Sequence, residues 1–386
     1  MNKEWFGFIK CKVEPPRGLY HPVLPVRTKC GPAEKLLFSL CRTCSESQQQ
    51  EKCRHTVEER SYIGTWCTNE LFKAVEKGYK VSKIFEVWHF EEATTEMFRN
   101  YVKKFLKIKM ESSKMNFGPN CTYKSKEEFK QKVKEKLGIE LGEIKHNPGM
   151  RTIAKLCLNS LWGKFGQRVN MTQTKYVTEL KEYYKILFND NIEDLNVTIL
   201  NEEMVQMNYT LKDQFVDNYN DTNIFITAFT TSHAREMLYE KLDILGDAVL
   251  GYDTDSIWYR DQEGVTPVIE TGDSLGDLTD ELNGDYITKW TATGPKSYAY
   301  TQASGKEVCK SKGFTPNHAN SQKINHSTMS KLVDGKISSI QTTRKNAITR
   351  NVLTKELVNK DQTKTFACVY NKRVVLENYD TIPYGY

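Results

Sequence analysis

Apolar residues recur along this chain with helical spacing in some segments and with strand-like alternation in others. These patterns predict strands over 5–13 and 81–90, a hairpin over 249–259, and helices over 68–77, 92–110, 125–137, 148–165 and 224–245. Residues 30–60 are polar with little periodicity and predict an insert built of loops. Residues 170–222 are polar and strand-like, and the segment after residue 262 is mixed and rich in lysine.

Composition places the chain among globular proteins. Of its 386 residues, 39% are hydrophobic and 11% are aromatic, which is too many for a disordered chain, and this length accommodates two or three domains. No apolar run approaches the roughly 18 residues that a transmembrane helix needs. The first ten residues lack the features of a signal peptide. The sequence therefore predicts an intracellular protein with no membrane partner.

Positive charge is concentrated in one part of the chain. The net charge is only +6, but eleven lysines stand against four glutamates between Tyr101 and Lys136. Such a local excess attracts polyanions, including nucleic acids. A solvated helix face would have the same composition, so this stretch indicates a nucleic-acid-binding surface only in combination with the motifs around it.

Two aspartates stand at the bend of the predicted hairpin. Asp253 and Asp255 are separated by one residue and are flanked by apolar strand formers such as Leu250 and Trp258. Carboxylates this close repel each other unless a cation lies between them, and Mg²⁺ prefers carboxylate oxygens, waters and phosphates. Asp-rich turns are also common as plain solvent-facing bends. The strands on both sides favour a magnesium site.

One face of the helix at 148–165 is polar. Arg151, Lys155 and Asn159 are spaced by four residues and therefore line one side of the helix. The residues predicted to turn towards the interior are Ile153, Leu156 and Leu161. An ordinary helix with a polar edge is the alternative interpretation.

These segments resemble motifs of family B DNA polymerases. Residues 252–256, Tyr-Asp-Thr-Asp-Ser, resemble the third palm motif, which implies Asp253 and Asp255 as catalytic carboxylates that bind Mg²⁺ or Mn²⁺. Residues 155–163 resemble the second motif, Lys-x-x-x-Asn-Ser-x-Tyr-Gly, on a helix of the fingers. The nucleotide-binding residues that this implies are Lys155, Asn159, Trp162 and Gly163. Trp162 replaces the family's tyrosine, which puts nucleotide selectivity there in question.

Further segments extend the resemblance over about residues 5–315. Residues 294–298, Gly-Pro-Lys-Ser-Tyr, are similar to the Lys-x-Tyr motif at the palm–thumb boundary, which implies that Lys296 and Tyr298 hold the primer end. Arg151 is an implied DNA contact, and Lys109 on the first fingers helix is an implied triphosphate contact. The spacing and inserts look most like the protein-primed branch, which is found in bacteriophages, linear plasmids and Polinton/Maverick transposons, and the segments at 64–79 and 101–109 are similar to the transposon versions.

The resemblance implies an α+β fold with the right-hand architecture of palm, fingers and thumb, in which the palm sheet is antiparallel and the fingers are helical. The implied divisions are a first palm part at 1–92 with a Cys/His insert at about 30–56, fingers at 93–168, a β-rich palm insertion at 169–223, a second palm part at 224–290 and a thumb at 291–386. The implied activity is that of a DNA-directed DNA polymerase. Its implied partners are primer–template DNA, deoxynucleoside triphosphates and a terminal protein primer, in the nucleus if the host is eukaryotic.

The family's first palm motif, Asp-x-x-Ser-Leu-Tyr-Pro, is expected upstream of all these segments. Residues 18–22, Gly-Leu-Tyr-His-Pro, echo it, but Pro15 stands where its aspartate belongs and cannot bind a metal. The exonuclease domain is expected further upstream. The sequence therefore resembles the C-terminal part of a polymerase. Two-metal phosphoryl transfer needs ions held about 3.5–4 Å apart, and in the family the aspartate of the first palm motif bridges both ions. Because this aspartate is missing, we expect this chain alone to extend a primer negligibly.

Cysteines cluster near the start of the chain, where seven of the ten precede residue 122. The candidate ligands for Zn²⁺ are Cys41, Cys44, Cys53 and His55. Thiolate and imidazole within fifteen residues suit a tetrahedral zinc ion. Cys30 or Cys67 could replace His55, and reduced cysteines in a loop are the plain alternative. The insert has few apolar residues, which favours a metal because something must hold it folded.

A non-catalytic nucleic-acid-binding remnant with a zinc module is the second interpretation of the whole chain. The two interpretations differ in whether a third metal-binding carboxylate lies beside Asp253 and Asp255. Such a group would have to come from a distant position, for example Glu202 or Asp243.

Overall fold

The computed structural model describes residues 2–30, 33–115, 123–216, 222–272 and 276–386. The strands are β1 (Gly7–Glu14), β2 (Val26–Cys30), β3 (Ala33–Leu37), β4 (Tyr62–Cys67), β5 (Lys80–His89), β6 (Gln173–Val177), β7 (Ile192–Ile199), β8 (Val205–Leu211), β9 (Val249–Asp253), β10 (Ser256–Tyr259), β11 (Ile287–Gly294), β12 (Ser297–Gln302), β13 (Glu307–Lys310), β14 (Ile340–Arg350), β15 (Leu357–Phe366), β16 (Val374–Val375) and β17 (Thr381–Ile382). The helices are α1 (Arg42–Ser47), α2 (Val57–Arg60), α3 (Thr68–Glu76), α4 (Arg99–Glu111), α5 (Lys126–Leu137), α6 (Pro148–Phe165), α7 (Leu180–Leu187), α8 (Ile224–Leu245), α9 (His318–Lys323) and α10 (His326–Val333).

The largest core lies on one face of an antiparallel sheet with the strand order β4-β1-β5. Side chains alternate across a strand, and Ile9, Cys11 and Val13 of β1 are fully buried on the inner face. Leu71 of α3 packs there together with residues of the 20–60 segment and with Tyr384 near the C-terminus. The N-terminal and C-terminal ends of the described chain therefore share one core.

Helices α4, α5 and α6 form a second unit with its own core, in which Leu106 and Phe129 are buried. The Ser125 side chain caps α5, and Asn147 followed by Pro148 starts α6, as the sequence predicts. The prediction that α4 begins near residue 92 is wrong, since it begins at Arg99. The Thr94 hydroxyl accepts a hydrogen bond from the Glu96 amide, and such a local turn competes with helix formation.

The buried face of α6 also differs from the prediction. Ile153 and Leu156 are 55% and 60% exposed, whereas Ala154 is fully buried and Leu158 packs on the core of α4 and α5. Ala154 and Leu158 lie one turn apart, and the small alanine lets α4 approach closely. The apolar contact stripe is therefore narrower than the sequence suggests.

Two polar segments contain more regular structure than predicted. The insert at 30–60 contains β3, which pairs with the preceding β2, and the short helices α1 and α2, so it is not built of loops alone. The segment at 170–216 forms a sheet with the order β6-β8-β7, as its strand-like pattern predicts, but it also contains α7. Ile186 of α7 is buried against Met207 of β8, which explains why this helix forms.

The second half of the chain consists of α8 and a series of antiparallel ribbons. The Asn223 side chain caps α8, and Gly246 ends it with a φ of 53°. Strands β9 and β10 pair with each other, β11-β12-β13 form a sheet on which α10 packs, and β14 and β15 form a long ribbon. The predicted α+β class with antiparallel sheets is confirmed. In the part of the chain that is described, no helix has both the length and the apolar sequence to cross a bilayer.

Candidate functional site

The two aspartates lie on the turn of the β9–β10 hairpin, as predicted. Asp253 ends β9 and pairs with Ser256, so Thr254 and Asp255 are the two turn residues. Thr254 has a φ of 56°, a conformation that is strained for a β-branched residue. Asp253 is half-buried and Asp255 is exposed. The fold therefore presents both carboxylates at the tip of a strained two-residue turn.

Lys296 lies directly on this turn. It occupies the bend between β11 and β12, where its φ is 59°. Its Nζ atom donates to both carboxylate oxygens of Asp253, at 2.9 and 3.0 Å. The structure thus brings together a predicted primer contact and a predicted catalytic carboxylate that are 43 residues apart in the sequence.

Aromatic contacts hold the same two elements together. The ring of Tyr298 on β12 lies 4.6 Å from the ring of Trp258 on β10, measured between centroids. A Cβ atom on Gly251 would lie 3.3 Å from the Trp290 ring, so glycine at this position permits β9 to approach β11. The Lys-x-Tyr strand and the carboxylate hairpin are therefore one packed unit.

Lys372 is a further cation at this place that the sequence analysis missed. The Val369 amide donates to the Thr293 carbonyl at 2.8 Å, which holds the 368–372 segment against the end of β11. Burial lowers the pKa of Lys372, the positive charge of Lys312 lowers it further, and the negative charge of Asp253 opposes both effects. Nothing in the local sequence marks Lys372, since only the fold brings it to Asp253.

The carboxylate turn has the ligand chemistry for a divalent ion but offers few protein ligands. Within the described ranges, no third Asp, Glu, His or Cys forms with Asp253 and Asp255 a group compact enough to hold one ion. Asp243 pairs instead with Lys77, at 2.6 Å, and Glu202 lies exposed at the turn between β7 and β8. The Lys296 ammonium bound to both oxygens of Asp253 shows that a cation fits there.

A second group of cations lies between α4 and α6. Burial lowers the pKa of Lys109, and the positive charges of Arg151 and Lys155 lower it further. Three predicted contacts to phosphate or DNA are thus close enough to repel one another, and an anion would relieve that repulsion. On the same helix Trp162 is exposed, and a Cβ on Gly163 would meet no atom within 4 Å. Asn159 is exposed as well.

The end of α6 is fixed on the start of α8. The Thr227 hydroxyl donates to the Trp162 carbonyl at 2.8 Å, and the Asn223 amide donates to the Phe165 carbonyl at 2.8 Å. A Cβ on Gly166 would lie 2.6 Å from the Thr227 methyl, so the close contact requires glycine. Helix α8 then leads to the carboxylate hairpin. That Lys155 and Asn159 face the same cleft as the carboxylates stays a prediction.

The four candidate zinc ligands converge in the insert. The ligand atoms of Cys41, Cys44, Cys53 and His55 all lie within 4.8 Å of one another. The Nδ1 atom of His55 is 3.5, 3.2 and 3.6 Å from the three sulfurs, in the order of their numbers. Tetrahedral zinc with ordinary bond lengths would place sulfur and nitrogen about 3.5 Å apart. The structure therefore favours His55 over Cys30 or Cys67 as the fourth ligand.

Hydrogen-bond donors around Cys53 favour its thiolate, whereas burial raises the pKa of Cys41 and of Cys44. The Cys44 amide donates to Cys41 Sγ at 3.4 Å, and Arg60 Nη1 donates to Cys53 Sγ at 3.2 Å. Burial raises the pKa of Cys53, but hydrogen bonds to His55, Cys44 and Arg60 outweigh it and lower that pKa to about 6. Arg60 and its contact were missed by the sequence analysis, because no spacing pattern links it to the cysteines.

Comparisons with known proteins agree with the motifs. The family model for DNA polymerase type B, organellar and viral, matches residues 1–244. A "Probable DNA polymerase" of Agaricus bitorquis is 23% identical over 303 residues, which are 70% of this chain and 31% of the relative. The structure of phi29 DNA polymerase complexed with primer-template DNA and incoming nucleotide substrates aligns with a TM-score of 0.52 and 15% identity, over 95% of this chain and 52% of that one.

These comparisons differ in what they establish. The structural likeness to the phi29 polymerase shows a shared fold, and the chain spans about half the length of that protein and about a third of its fungal relative. The family match covers more than half of the chain and includes the second-motif helix α6. On this evidence the chain is a member of the type B DNA polymerase family, organellar and viral.

Proposed function

We propose that this chain is part of a template-directed DNA polymerase, that Asp253 and Asp255 belong to its nucleotidyl-transfer centre, and that the chain alone is incomplete and inactive. The observation that supports this best is the contact of Lys296 with Asp253, because it joins two motifs of the family at one place. In this proposal residues 1–92 and 224–290 form the palm, 93–168 the fingers, 169–223 an insertion in the palm and 291–386 the thumb.

Asp253 and Asp255 would hold Mg²⁺ or Mn²⁺, which supplies charge neutralisation for the transferred phosphoryl group. The chain's own residues account for the rest of the site. Lys296 binds and orients the phosphate of the primer end, and Tyr298 holds that lysine in place by packing on Trp258. These contacts hold the hairpin against β12 and so keep the carboxylates in position.

Lys109, Arg151 and Lys155 would bind the triphosphate of the incoming nucleotide. They form a cationic group between two packed helices, and the exposed Trp162 and open Gly163 lie further along α6. A triphosphate brings the negative charge that this group lacks. Asn159 would contact the sugar from the same helix face.

Nucleotide binding tests this assignment without depending on turnover. The measurement is calorimetric titration of dATP with Mg²⁺ into the wild type, Lys155→Ala and the control Lys164→Ala. Lys164 is exposed on the last turn of α6, where it contacts Gln167. We expect Lys155→Ala to weaken binding at least tenfold and Lys164→Ala to change it less than twofold. Equal effects, or no binding by the wild type, would contradict the proposal.

A non-catalytic DNA-binding function is the second candidate. The observation that favours it is that, over the residues described, no third carboxylate joins Asp253 and Asp255. Under this interpretation the lysine-rich surfaces bind DNA without extending it. Calorimetric titration of dATP with Mg²⁺ distinguishes the two functions, because a DNA-binding remnant needs no nucleotide site, whereas negligible primer extension is expected of this chain under both.

We further propose that Cys41, Cys44, Cys53 and His55 bind one structural Zn²⁺. The sulfur–nitrogen distances of 3.2–3.6 Å support this, because they match a tetrahedral ion. Elemental analysis should find about one zinc per chain, none in the double variant Cys41→Ser, Cys44→Ser, and an unchanged content in the control Cys157→Ser, Cys309→Ser. Zinc content that is insensitive to the first pair would overturn the proposal.

The similarity of segments 64–79 and 101–109 to transposon polymerases supports a role in replicating a mobile or viral-type element with a terminal protein as primer. The test is transfer of labelled deoxynucleotide to the hydroxyl of a candidate primer protein. Labelling only of DNA primers would contradict protein priming.

A further inference from the structure

The last residues of the chain lie against the Cys/His cluster. Tyr384 is fully buried in the first core, together with Cys41 and Cys44. The Leu40 amide, one residue before the first ligand, donates to the Tyr384 carbonyl at 2.7 Å. The C-terminal tail, residues 383–386, is thus packed on the cluster although more than 300 residues separate the two in sequence.

Arg60 joins the tail to the ligands. Its Nη1 donates both to Cys53 Sγ, at 3.2 Å, and to the Gly385 carbonyl, at 2.8 Å, while Nη2 donates to the Pro16 carbonyl at 2.9 Å. The residue is only 3% exposed. A buried guanidinium needs a negative partner, and a metal-bound thiolate at Cys53 supplies one. The hydrogen bond from Arg60 to the Gly385 carbonyl therefore depends on whether Cys53 is a metal-bound thiolate.

Gly385 brings the tail backbone onto the backbone of a ligand residue. Its φ is 85°, and an added Cβ would collide with the Cβ of Cys41 and lie 2.7 Å from the Cys41 amide nitrogen. Glycine is therefore required here both for its conformation and for space. Any residue with a side chain must displace either the tail or Cys41.

The segment that precedes the tail leads back towards the carboxylate hairpin. The Val375 amide donates to the Gln50 side chain of the insert at 3.0 Å. Arg373 lies ten residues before the tail, and its guanidinium covers the Tyr20 ring. The neighbouring Lys372 is the cation placed beside Lys296 and Asp253. The segment from Lys372 to Tyr386 therefore spans from the candidate catalytic turn to the Cys/His cluster.

We propose that the Cys41–His55 cluster, loaded with zinc, is a clasp that holds the C-terminal tail and so fixes the segment carrying Lys372 beside the carboxylate turn. This inference rests on the proposed zinc site. The occupant of the clasp is the chain's own tail, and the contacts through Leu40, Arg60 and Gly385 carry the coupling.

Hydrogen exchange of the wild type, with zinc and after its removal by a chelator, is the first test. We expect amides of residues 374–386 to exchange at least tenfold faster without zinc, whereas amides of the distant strands β6–β8 keep their rates. Equal exchange of the tail in both states would overturn the clasp. A wild type that contains no zinc would overturn the zinc site itself, so the two failures are distinguishable.

A matched pair of glycine variants is the second test. Gly385→Ala introduces the collision with Cys41, and Gly305→Ala is the control because its φ of 83° is nearly the same but a Cβ there meets no atom within 4 Å. We expect Gly385→Ala to release zinc to a chelator at least tenfold faster than the wild type, and Gly305→Ala to differ by less than twofold. Equal rates for the two variants would contradict the coupling. If Gly385→Ala does not fold, deletion of residues 383–386 replaces it with the same expectation.

Discussion

The two candidate metal sites of this protein are built in opposite ways. The Cys/His cluster gathers four ligands from fifteen residues in a buried place, and His55 faces all three sulfurs. The carboxylate turn presents two ligands at an exposed tip, and a lysine covers one of them. The first arrangement suits an ion that stays, and the second suits an ion that arrives with a substrate.

The number of protein ligands at a metal site depends on whether the ion is structural or shares its ligands with a substrate. Structural zinc is held by four protein ligands, and removing it costs folding free energy. Mg²⁺ at a phosphoryl-transfer site keeps waters and substrate phosphates among its ligands. A turn with only two carboxylates is thus consistent with an ion that shares its ligands with DNA and nucleotide, but it holds that ion weakly alone.

The largest expected effect concerns catalysis at the carboxylate turn. We expect the 386-residue chain to extend a primer at least about 10²–10³ times more slowly than a reference type B polymerase. The reason is that, in the described residues, no third carboxylate joins Asp253 and Asp255, and the loss of one such preorganised electrostatic contact costs at least that factor in rate. The measurement is primer extension with Mg²⁺ or Mn²⁺. Asp253→Asn, Asp255→Asn sets the background, and Asp261→Asn, an exposed position two residues after β10, is the control. Extension at the reference rate that the double variant abolishes would show that another group completes the site.

The next effect separates the two sites by their ions. Zinc at a thousandfold excess over its Kd should stabilise the fold by about 4 kcal/mol, whereas Mg²⁺ should change the unfolding free energy little because it meets an exposed turn. Thermal unfolding with zinc, with a zinc chelator and with Mg²⁺ measures both. Stabilisation by Mg²⁺ as large as that by zinc would remove the contrast.

A smaller effect concerns DNA binding beside the turn. Lys296→Ala should reduce the slope of log K against log salt concentration by about 1, because one phosphate contact is lost. The control is Lys306→Ala, an exposed lysine at the β12–β13 turn of the same sheet. Binding of primer–template DNA, followed by fluorescence anisotropy over a salt series, gives the slopes. An equal change in both variants would mean that Lys296 contributes only general charge.

The smallest effect tests the strain in the turn. Thr254→Gly should stabilise the fold by up to about 1 kcal/mol, because it relieves a β-branched residue at a φ of 56° while adding glycine's entropy cost. The control Thr365→Gly, in the regular strand β15, should destabilise by about 1 kcal/mol. Chemical denaturation of both variants measures the difference. A loss of stability in Thr254→Gly equal to that of the control would show that the turn is not strained.

Local signals predicted much of this structure. Helices α6 and α8 begin at Asn147 and Asn223, whose side chains cap them, and α8 ends at Gly246 as its sequence indicates. The turn that carries Asp253 and Asp255 and the convergence of the candidate ligands Cys41, Cys44, Cys53 and His55 also agree with the sequence analysis. These features depend on residues close together in sequence, where capping, periodicity and ligand spacing are visible.

The features that were not predicted depend on distant residues. No spacing connects Lys372 with Asp253, Arg60 with Cys53, or Gly385 with Cys41, because the fold alone brings them together. The buried face of α6 was misassigned because α4 and α5 select a narrow stripe. Helix α7 was missed because its stability comes from packing on the β6-β8-β7 sheet.

Lys296, on the bend between β11 and β12, is the counterion of Asp253 on the carboxylate turn. A divalent ion that binds Asp253 must displace the ammonium group, so each departure of the lysine raises the affinity for the ion and each bound ion frees the lysine. By thermodynamic reciprocity, a phosphate that captures Lys296 strengthens ion binding by the same factor by which the ion strengthens phosphate binding. In the proposed function, occupancy by primer and by metal would thus be linked through the exchange of a single positive charge.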